Sequence, residues 1–259
     1  MGLSQEANEG TPGPFQIVGI DCAAQAKKVG LAYSKGRSVQ GVVAGVPDPA
    51  EQILDWVDWD LPVLLAMDAP LGWPKPMAIE LSQHRPGVAI QTAPNDFFRR
   101  RTDRVVHAAL RRPTLDVGAD KIARAAHGAL QLLNEVRSRS GQSLPILWDI
   151  PHGSESGVIE VYPAGTLKSH GYPYQGYKSN KPEQAALRRV IVGHVAKVLT
   201  LPETSIMSEN ADALDAVVCV ISGLDFLSGL CIEPGDDLEV AKTEGWIWLK
   251  DPHPAGGAA

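Results

Sequence analysis

The alternation of apolar and polar residues predicts four strands and one helix in the first part of the chain. Three apolar runs joined by short glycine-containing turns are typical of an antiparallel meander. After them, apolar residues at helical spacing follow a proline and predict a helix, and a longer apolar run predicts a buried strand. The runs are FQIVGIDCA (15–23), KVGLAYS (28–34), SVQGVVAGV (38–46), the helix PAEQILDWVDW (49–59) and LPVLLAMDAPLG (61–72).

The next stretch, residues 73–156, breaks this rhythm, and we predict that it is a largely helical insertion. Its clearest element is an amphipathic helix with the apolar positions on one side. These positions are Ile122, Ala125, Ala129, Leu132, Leu133 and Val136.

The main fold is predicted to resume with a strand, GVIEVYPAG (157–165). Helices at 181–199 and from 210 onward and a short strand at 244–249 follow it. We therefore expect an α/β fold with a mixed five-stranded sheet flanked by helices. A single domain would cover residues 15–250, with flexible tails at 1–14 and 251–259.

Three acidic residues are associated with the predicted strands. Asp21 and Asp68 stand at the ends of apolar strands, and Glu160 lies inside one. Functional side chains converge where neighbouring strands of such a sheet end. For any one aspartate, however, initiating a turn is an equally good explanation.

Two further aspartates, Asp212 and Asp215, are three residues apart on the predicted late helix and would share one face. Capping by Asn210 and the helix dipole account for Asp212 in the first turn. They do not account for Asp215, because the helix around it is apolar on nearly every side and an unpaired carboxylate there is costly. Clustered carboxylates suit hard cations such as Mg²⁺ or Mn²⁺, and two such ions about 4 Å apart can act on a phosphodiester.

The order of these motifs resembles that of known proteins. GIDCA, AMDAPLG and DALDAVVCVISG are similar to the acidic motifs of the Holliday-junction resolvase branch of the ribonuclease H-like superfamily. DAPLG, RRRTDR, EVYPAGTL, YK, DALDA and EGWI, in this order, resemble a bacterial and archaeal family of unknown function described as predicted ribonuclease H-like nucleases. The resemblance implies a ribonuclease H-like fold with a two-metal site. Asp21, Asp68 and Asp215 would be metal ligands, and Asp212 and Glu160 would be further ligands or a base for the attacking water.

A basic stretch, RRRTDRVVHAALRR (99–112), is a candidate for phosphate binding because arginine can grip phosphate with two nitrogens. Arg100, Arg101 and Arg104 would contact phosphate, and the resemblance places Asp103 near the site. Lys178 is a weaker candidate for the same role. A solvated helix face with ion pairs explains the stretch equally well.

Composition limits the partners. The formal net charge is −6, so nucleic-acid affinity would have to come from a local basic patch or from metal ions. The three cysteines form no C-x-x-C pair, which favours a reducing, cytoplasmic setting. The first residues do not form a secretion signal, and no apolar run has the length of a membrane span.

Three functions remain open from the sequence. The first is a metal-dependent nuclease or phosphodiesterase. The second is a non-catalytic module of the same fold that binds a nucleotide or nucleic acid. The third is a phosphotransferase acting on a small molecule, although the ATP-binding loop of sugar kinases is missing, because Cys22, Ala23 and Ala24 follow Asp21.

Overall fold

The structure, a computed structural model, describes residues 15–254 except 113, 115, 119, 180 and 204. The predicted tail at 1–14 and most of the one at 251–259 lie outside the described residues. Within the described part of the chain, no helix combines the length and the apolar character that crossing a membrane requires.

A five-stranded mixed sheet forms the centre of the protein. Its strands are β1 (Gln16–Asp21), β2 (Gly30–Lys35), β3 (Ser38–Ala44), β4 (Val63–Asp68) and β5 (Gly157–Glu160). In space they follow the order β3-β2-β1-β4-β5. Strands β1 to β3 form the antiparallel meander, whereas β4 runs parallel to β1 and β5 parallel to β4. This is the ribonuclease H-like arrangement that the motifs implied, and the predicted fold class is confirmed.

Helices cover both faces of the sheet. The helices of the described residues are α1 (Pro49–Trp56), α2 (Lys75–Gln83), α3 (Pro94–Phe98), α4 (Arg101–Leu110), α5 (Asp120–Ser140), α6 (Pro163–Ser169), α7 (Pro182–Val195), α8 (Ser205–Glu209), α9 (Ala211–Leu227) and α10 (Leu238–Glu244). Helices α1 and α5 lie on one face, and α9 lies on the other. The apolar side predicted for α5 is used there, since Ala129, Leu132, Leu133 and Val136 are buried against the sheet.

The two faces of each strand explain where the aspartates point. Successive side chains of a strand alternate between faces. In β1, Ile17 packs on the α9 side, whereas Val18 and Ile20 pack on the α1 and α5 side. Asp21 therefore projects toward α9. Asp68 does the same on β4, because it pairs in register with Asp21.

Helix α9 lies directly on the sheet because two glycines leave room for its backbone. A Cβ atom added at Gly19 would come within 2.1 Å of the carbonyl oxygen of Ala216. One added at Gly30 would come within 2.0 Å of the carbonyl oxygen of Asp212. This close approach brings the first turns of α9 to the edge where β1 and β4 end.

Two predicted elements differ from the structure. Strand β5 ends at Glu160 instead of continuing to residue 165, because Pro163 begins helix α6. The predicted strand at 244–249 is only an isolated bridge between Ile247 and Glu160, since helix α10 extends to Glu244 and short alternation does not guarantee a pairing partner.

Candidate metal centre

Three aspartates converge at the edge of the sheet where β1 and β4 end. One carboxylate oxygen from each of Asp21, Asp68 and Asp215 lies within 4.8 Å of the corresponding oxygens of the other two. Asp215 is 1% exposed, whereas Asp21 and Asp68 are partly exposed, so solvent reaches the group from one side. Oxygen ligands about 2.0 to 2.6 Å from a central ion suit Mg²⁺, Mn²⁺ or Ca²⁺. The donor set therefore fits a hard divalent cation.

The electrostatics of the three aspartates also favour a cation. Burial raises the pKa of Asp21 well above its ordinary value, and the charges of Asp215 and Asp68 raise it further. Burial likewise raises the pKa of Asp68, to about 7, while Lys178 and a hydrogen bond with Asp21 oppose the rise. Without a cation, Asp21 and Asp68 therefore hold their protons more tightly than free aspartates do, because burial and the neighbouring negative charges disfavour their ionised forms. A divalent ion would favour the ionised forms of these two carboxylates.

Both oxygens of Asp215 have partners on the loop before α7. The phenol of Tyr177 donates a hydrogen bond of 2.7 Å to Oδ1. The ammonium of Lys178 forms an ion pair of 2.5 Å with Oδ2. Desolvation works against this ammonium, but the charges of Asp215 and the other two aspartates raise the pKa of Lys178 above its ordinary value. The lysine is therefore charged, and its side chain is still 57% exposed.

A buried arginine, Arg188 on α7, holds this loop in place. Its guanidinium donates to the carbonyl oxygens of Tyr177 at 2.6 Å and Ser179 at 2.9 Å. It also donates to the carbonyl oxygens of Ser208 at 2.8 Å and Glu209 at 3.0 Å, just before α9. Arg188 thus ties the Tyr177–Lys178 loop to the helix that carries Asp215.

Asp212 lies at the rim of the site and is not one of the three converging aspartates. As predicted, Asn210 caps α9, accepting hydrogen bonds from the backbone nitrogens of Asp212 and Ala213 at 2.8 and 3.1 Å. Partial burial raises the pKa of Asp212, and the charge of Lys28 opposes the rise. A ligand role for Asp212 stays a prediction.

Glu160 is placed differently from the sequence-based expectation. The guanidinium of Arg100 binds both of its carboxylate oxygens, at 2.7 and 2.8 Å. The same guanidinium binds Asp103 at 3.1 and 3.2 Å. All three side chains are buried, with exposures of 1% to 3%. Glu160 is thus paired with Arg100, which also binds Asp103 inside the fold, and the predicted roles of these three residues stay predictions.

The other two predicted phosphate ligands of this stretch form surface ion pairs. Arg101 binds Asp237 at 2.8 Å, and Arg104 binds Asp96 at 2.6 Å. Both side chains are partly exposed, so the structure shows the ion-paired helix face that was the alternative explanation. Of the predicted basic residues, Lys178 is the one that the structure brings into contact with an aspartate of the metal centre.

Sequence reasoning missed Tyr177 and Arg188. Tyr177 belongs to the YK dipeptide used for the resemblance, but its hydroxyl received no role because nothing local marks its partner. Arg188 stands on an ordinary amphipathic helix, and its four carbonyl acceptors come from two separate segments. No local sequence signal could have identified it.

The sheet order and the three aspartates define an α/β protein of ribonuclease H-like topology with a cluster of three carboxylates suited to a metal ion. The chain belongs to the family described as "Protein of unknown function (DUF429)", whose model matches residues 19–239. No curated protein matches the chain in sequence. Among solved structures, the chain is similar to "T. thermophilus RuvC in complex with Holliday junction substrate", with 15% identity and a TM-score of 0.30. That match covers 83% of this chain and 96% of the other. The sheet order supports the ribonuclease H-like fold independently of this distant similarity.

Proposed function

We propose that the protein is a metal-dependent hydrolase of phosphodiester bonds, that is, a nuclease. The observation that carries the proposal is the convergence of Asp21, Asp68 and Asp215 at the open edge of the sheet. Carboxylate groups without histidine or cysteine suit Mg²⁺ or Mn²⁺ better than zinc. When bound, such ions polarise a phosphoryl oxygen and activate water.

The residues of the chain would then have separate tasks. Asp21, Asp68 and Asp215 would hold the ion, and Tyr177 would orient Asp215 through its hydrogen bond. Lys178 neutralises Asp215 in the metal-free protein, and its exposed ammonium would turn to a substrate phosphate once the ion supplies that charge. Asp212, at the rim, is the residue available for a second ion or for accepting a proton from water.

Attack by water is favoured over attack by a cysteine because neither of the two thiols near the three aspartates is accessible. Cys22 follows Asp21 but packs into the core on the other face of the sheet. Cys219, one helical turn after Asp215 on α9, is fully buried. A thiol that substrate cannot reach does not form a covalent intermediate.

A cleavage assay tests the proposal. The protein is incubated with labelled four-way junctions, single strands and RNA–DNA hybrids, with Mn²⁺, Mg²⁺ or EDTA. We expect metal-dependent cleavage of at least one substrate, and a loss of about 100-fold or more in Asp21→Asn, because that change removes a ligand that positions charge in the transition state. The exposed Asp60→Asn is the matched control and should cleave at the wild-type rate. Equal cleavage by Asp21→Asn would show that the three aspartates are not the catalytic site.

One observation favours the non-catalytic alternative, a nucleic-acid or nucleotide binding module. The ion pair between Lys178 and Asp215 already supplies one positive charge to the cluster without any metal. This alternative predicts binding that survives EDTA and produces no cleavage with any of the three substrates. Binding that requires Mn²⁺ and is accompanied by turnover supports the nuclease.

A further inference from the structure

A polar groove opens beside the metal centre, along the start of α9. It has a volume of about 600 Å³ and is lined by three lysines, Lys27, Lys28 and Lys178. Asp212 and Ser179 also line it. Because Lys178 and Asp212 belong to both the groove and the surroundings of the aspartates, the groove continues from the metal centre.

Two of the lysines are free to bind an anion. Lys27 and Lys28 are exposed and form the short 3-10 helix Ala26–Lys28, directly after the end of β1. Neither takes part in any ion pair between described residues. The charge of Lys28 acts on Asp212, which places its ammonium near the rim of the site. Two unpaired ammonium groups therefore stand a short distance from the aspartates in a protein of net charge −6.

The lining of the groove indicates which part of a ligand it would contact. No aromatic residue is among the described residues that line it, so it offers no platform on which a base could stack. The Asn210 side chain already accepts from the first free backbone nitrogens of α9, so the lysines supply the donors for an anion. Lysine binds phosphate as a point charge, which contacts a nucleic-acid backbone without reading its sequence.

We propose that Lys27 and Lys28 bind the phosphates of a polynucleotide strand next to the phosphate held at the metal centre. This inference rests on the proposed function for the identity of the neighbouring phosphate. It assigns the substrate class, a polynucleotide chain and not a small phosphorylated molecule, and it places the strand along the start of α9. Recognition in this groove is independent of base sequence.

The test measures binding of a fluorescently labelled single-stranded DNA by anisotropy at several salt concentrations, with Ca²⁺ present and with EDTA. The variant is Lys27→Ala/Lys28→Ala in the full chain. We expect its affinity to fall about tenfold, and the slope of log K against log salt to flatten by about 1.4, since each lost single-strand phosphate contact contributes about 0.7.

The matched control is Lys35→Ala/Lys197→Ala, which removes the same charge at the opposite end of the sheet. Lys35 pairs with Gln16, at the end of β1 remote from Asp21. Lys197 lies in the turn leading to Thr200, which bridges to Ser38 beside Lys35. Both control lysines are exposed. We expect this control to keep the wild-type affinity and slope.

Three results would overturn the inference: no binding by the wild-type chain, equal weakening in both double variants, or an unchanged slope in Lys27→Ala/Lys28→Ala. Competition by inorganic phosphate adds a fourth arm. If inorganic phosphate displaces the DNA at a concentration equal to that of the DNA phosphate groups, the groove binds single phosphates. That result would also contradict binding of a polynucleotide strand along the groove. Cleavage is measured separately. Lysine-dependent binding without cleavage would contradict the proposed nuclease activity but would still support binding of a polynucleotide in the groove.

Discussion

Two groups of carboxylates lie near the same edge of the sheet, and they differ in the cations that contact them. Glu160 and Asp103 share the guanidinium of Arg100, which binds four carboxylate oxygens at 2.7 to 3.2 Å. Asp21, Asp68 and Asp215 share only the ammonium of Lys178, which contacts one oxygen and is 57% exposed. The first group places one buried guanidinium against all four oxygens of two carboxylates, whereas the second places one exposed ammonium against a single oxygen of three carboxylates.

This difference separates a structural role from a functional one. A planar guanidinium closed in by the core forms a permanent pair, because removing it would strand buried charge. An exposed lysine on a loop can leave, and a cation can replace it. The shortage of positive charge beside the three aspartates is thus the physical basis for expecting a metal there, and burial of a carboxylate alone is not.

The largest expected effect comes from breaking the permanent pair. Arg100→Met leaves Glu160 and Asp103 buried with backbone donors but without a cation, and we expect it to lower the free energy of unfolding by about 3 to 5 kcal/mol. Urea unfolding measures the change. The neighbouring Arg99→Ala breaks a partly exposed pair with Asp116 and should cost about 1 kcal/mol or less. Similar costs for the two variants would contradict a structural role for Arg100.

The second prediction concerns metal binding. A ligand at about 100 times its Kd stabilises a protein by about 2.7 kcal/mol, so saturating Mn²⁺ should raise the melting temperature of the wild type. Asp215→Asn should lose this rise, because one of the three ligands is then neutral. Asp60→Asn, on the exposed surface, serves as control and should keep it. A metal-dependent rise that persists in Asp215→Asn would place the ion elsewhere.

The third prediction is a dependence of stability on pH in EDTA. The pKa of Asp68 is raised to about 7, so the folded state binds its proton more tightly than the unfolded state, where the pKa is about 3.9. This contribution to stability is complete below about pH 4 and is lost as the pH rises to about 7. The substitution Asp68→Asn removes this pH-dependent loss of stability.

We therefore expect Asp68→Asn to be more stable than the wild type by about 2 kcal/mol at pH 8, and equal to it at pH 4. Urea unfolding in EDTA across this range measures the difference. A constant difference at all pH values would count against titration of Asp68 as its cause.

The smallest expected effect is on the orientation of Asp215. Tyr177→Phe removes the 2.7 Å hydrogen bond to Oδ1 while keeping the ring. Groups that orient a metal ligand typically contribute about tenfold to affinity, which corresponds to about 1.4 kcal/mol. Titration calorimetry with Mn²⁺ measures it. Tyr174→Phe, on the same loop but stacked with Arg112 and Lys168, should leave the Mn²⁺ affinity unchanged.

The strands and their aspartates could be predicted because period-two alternation is a local property. The apolar runs located β1 and β4, and the parallel register of these strands brings Asp21 beside Asp68. The apolar surroundings of Asp215 showed that its charge needed a partner. The helix pattern placed Asp212 and Asp215 on one face and did not show that Asp215, and not Asp212, would reach the other aspartates. Two side chains three residues apart differ by about 60° in direction and by nearly one turn in height, and only the packing of α9 decides which of them reaches the strand ends.

The partners of Glu160 could not be predicted, because they are set by long-range packing. Arg100 lies 60 residues before Glu160 in the chain, and the RRRTDR stretch gives no sign of which arginine turns inward. In the structure, Arg100 is buried while Arg101 and Arg104 stay on the surface.

The sequence by itself determined the strands, the faces of those strands and the acidic character of their common edge. These follow from the alternation of side chains and from the cost of an unpaired carboxylate among apolar residues. Tertiary structure alone decided which carboxylates are paired with a buried arginine and which face an exposed lysine and a groove. That choice depends on contacts between segments far apart in the chain, and the balance of charge at a buried site exists only after those segments have packed together.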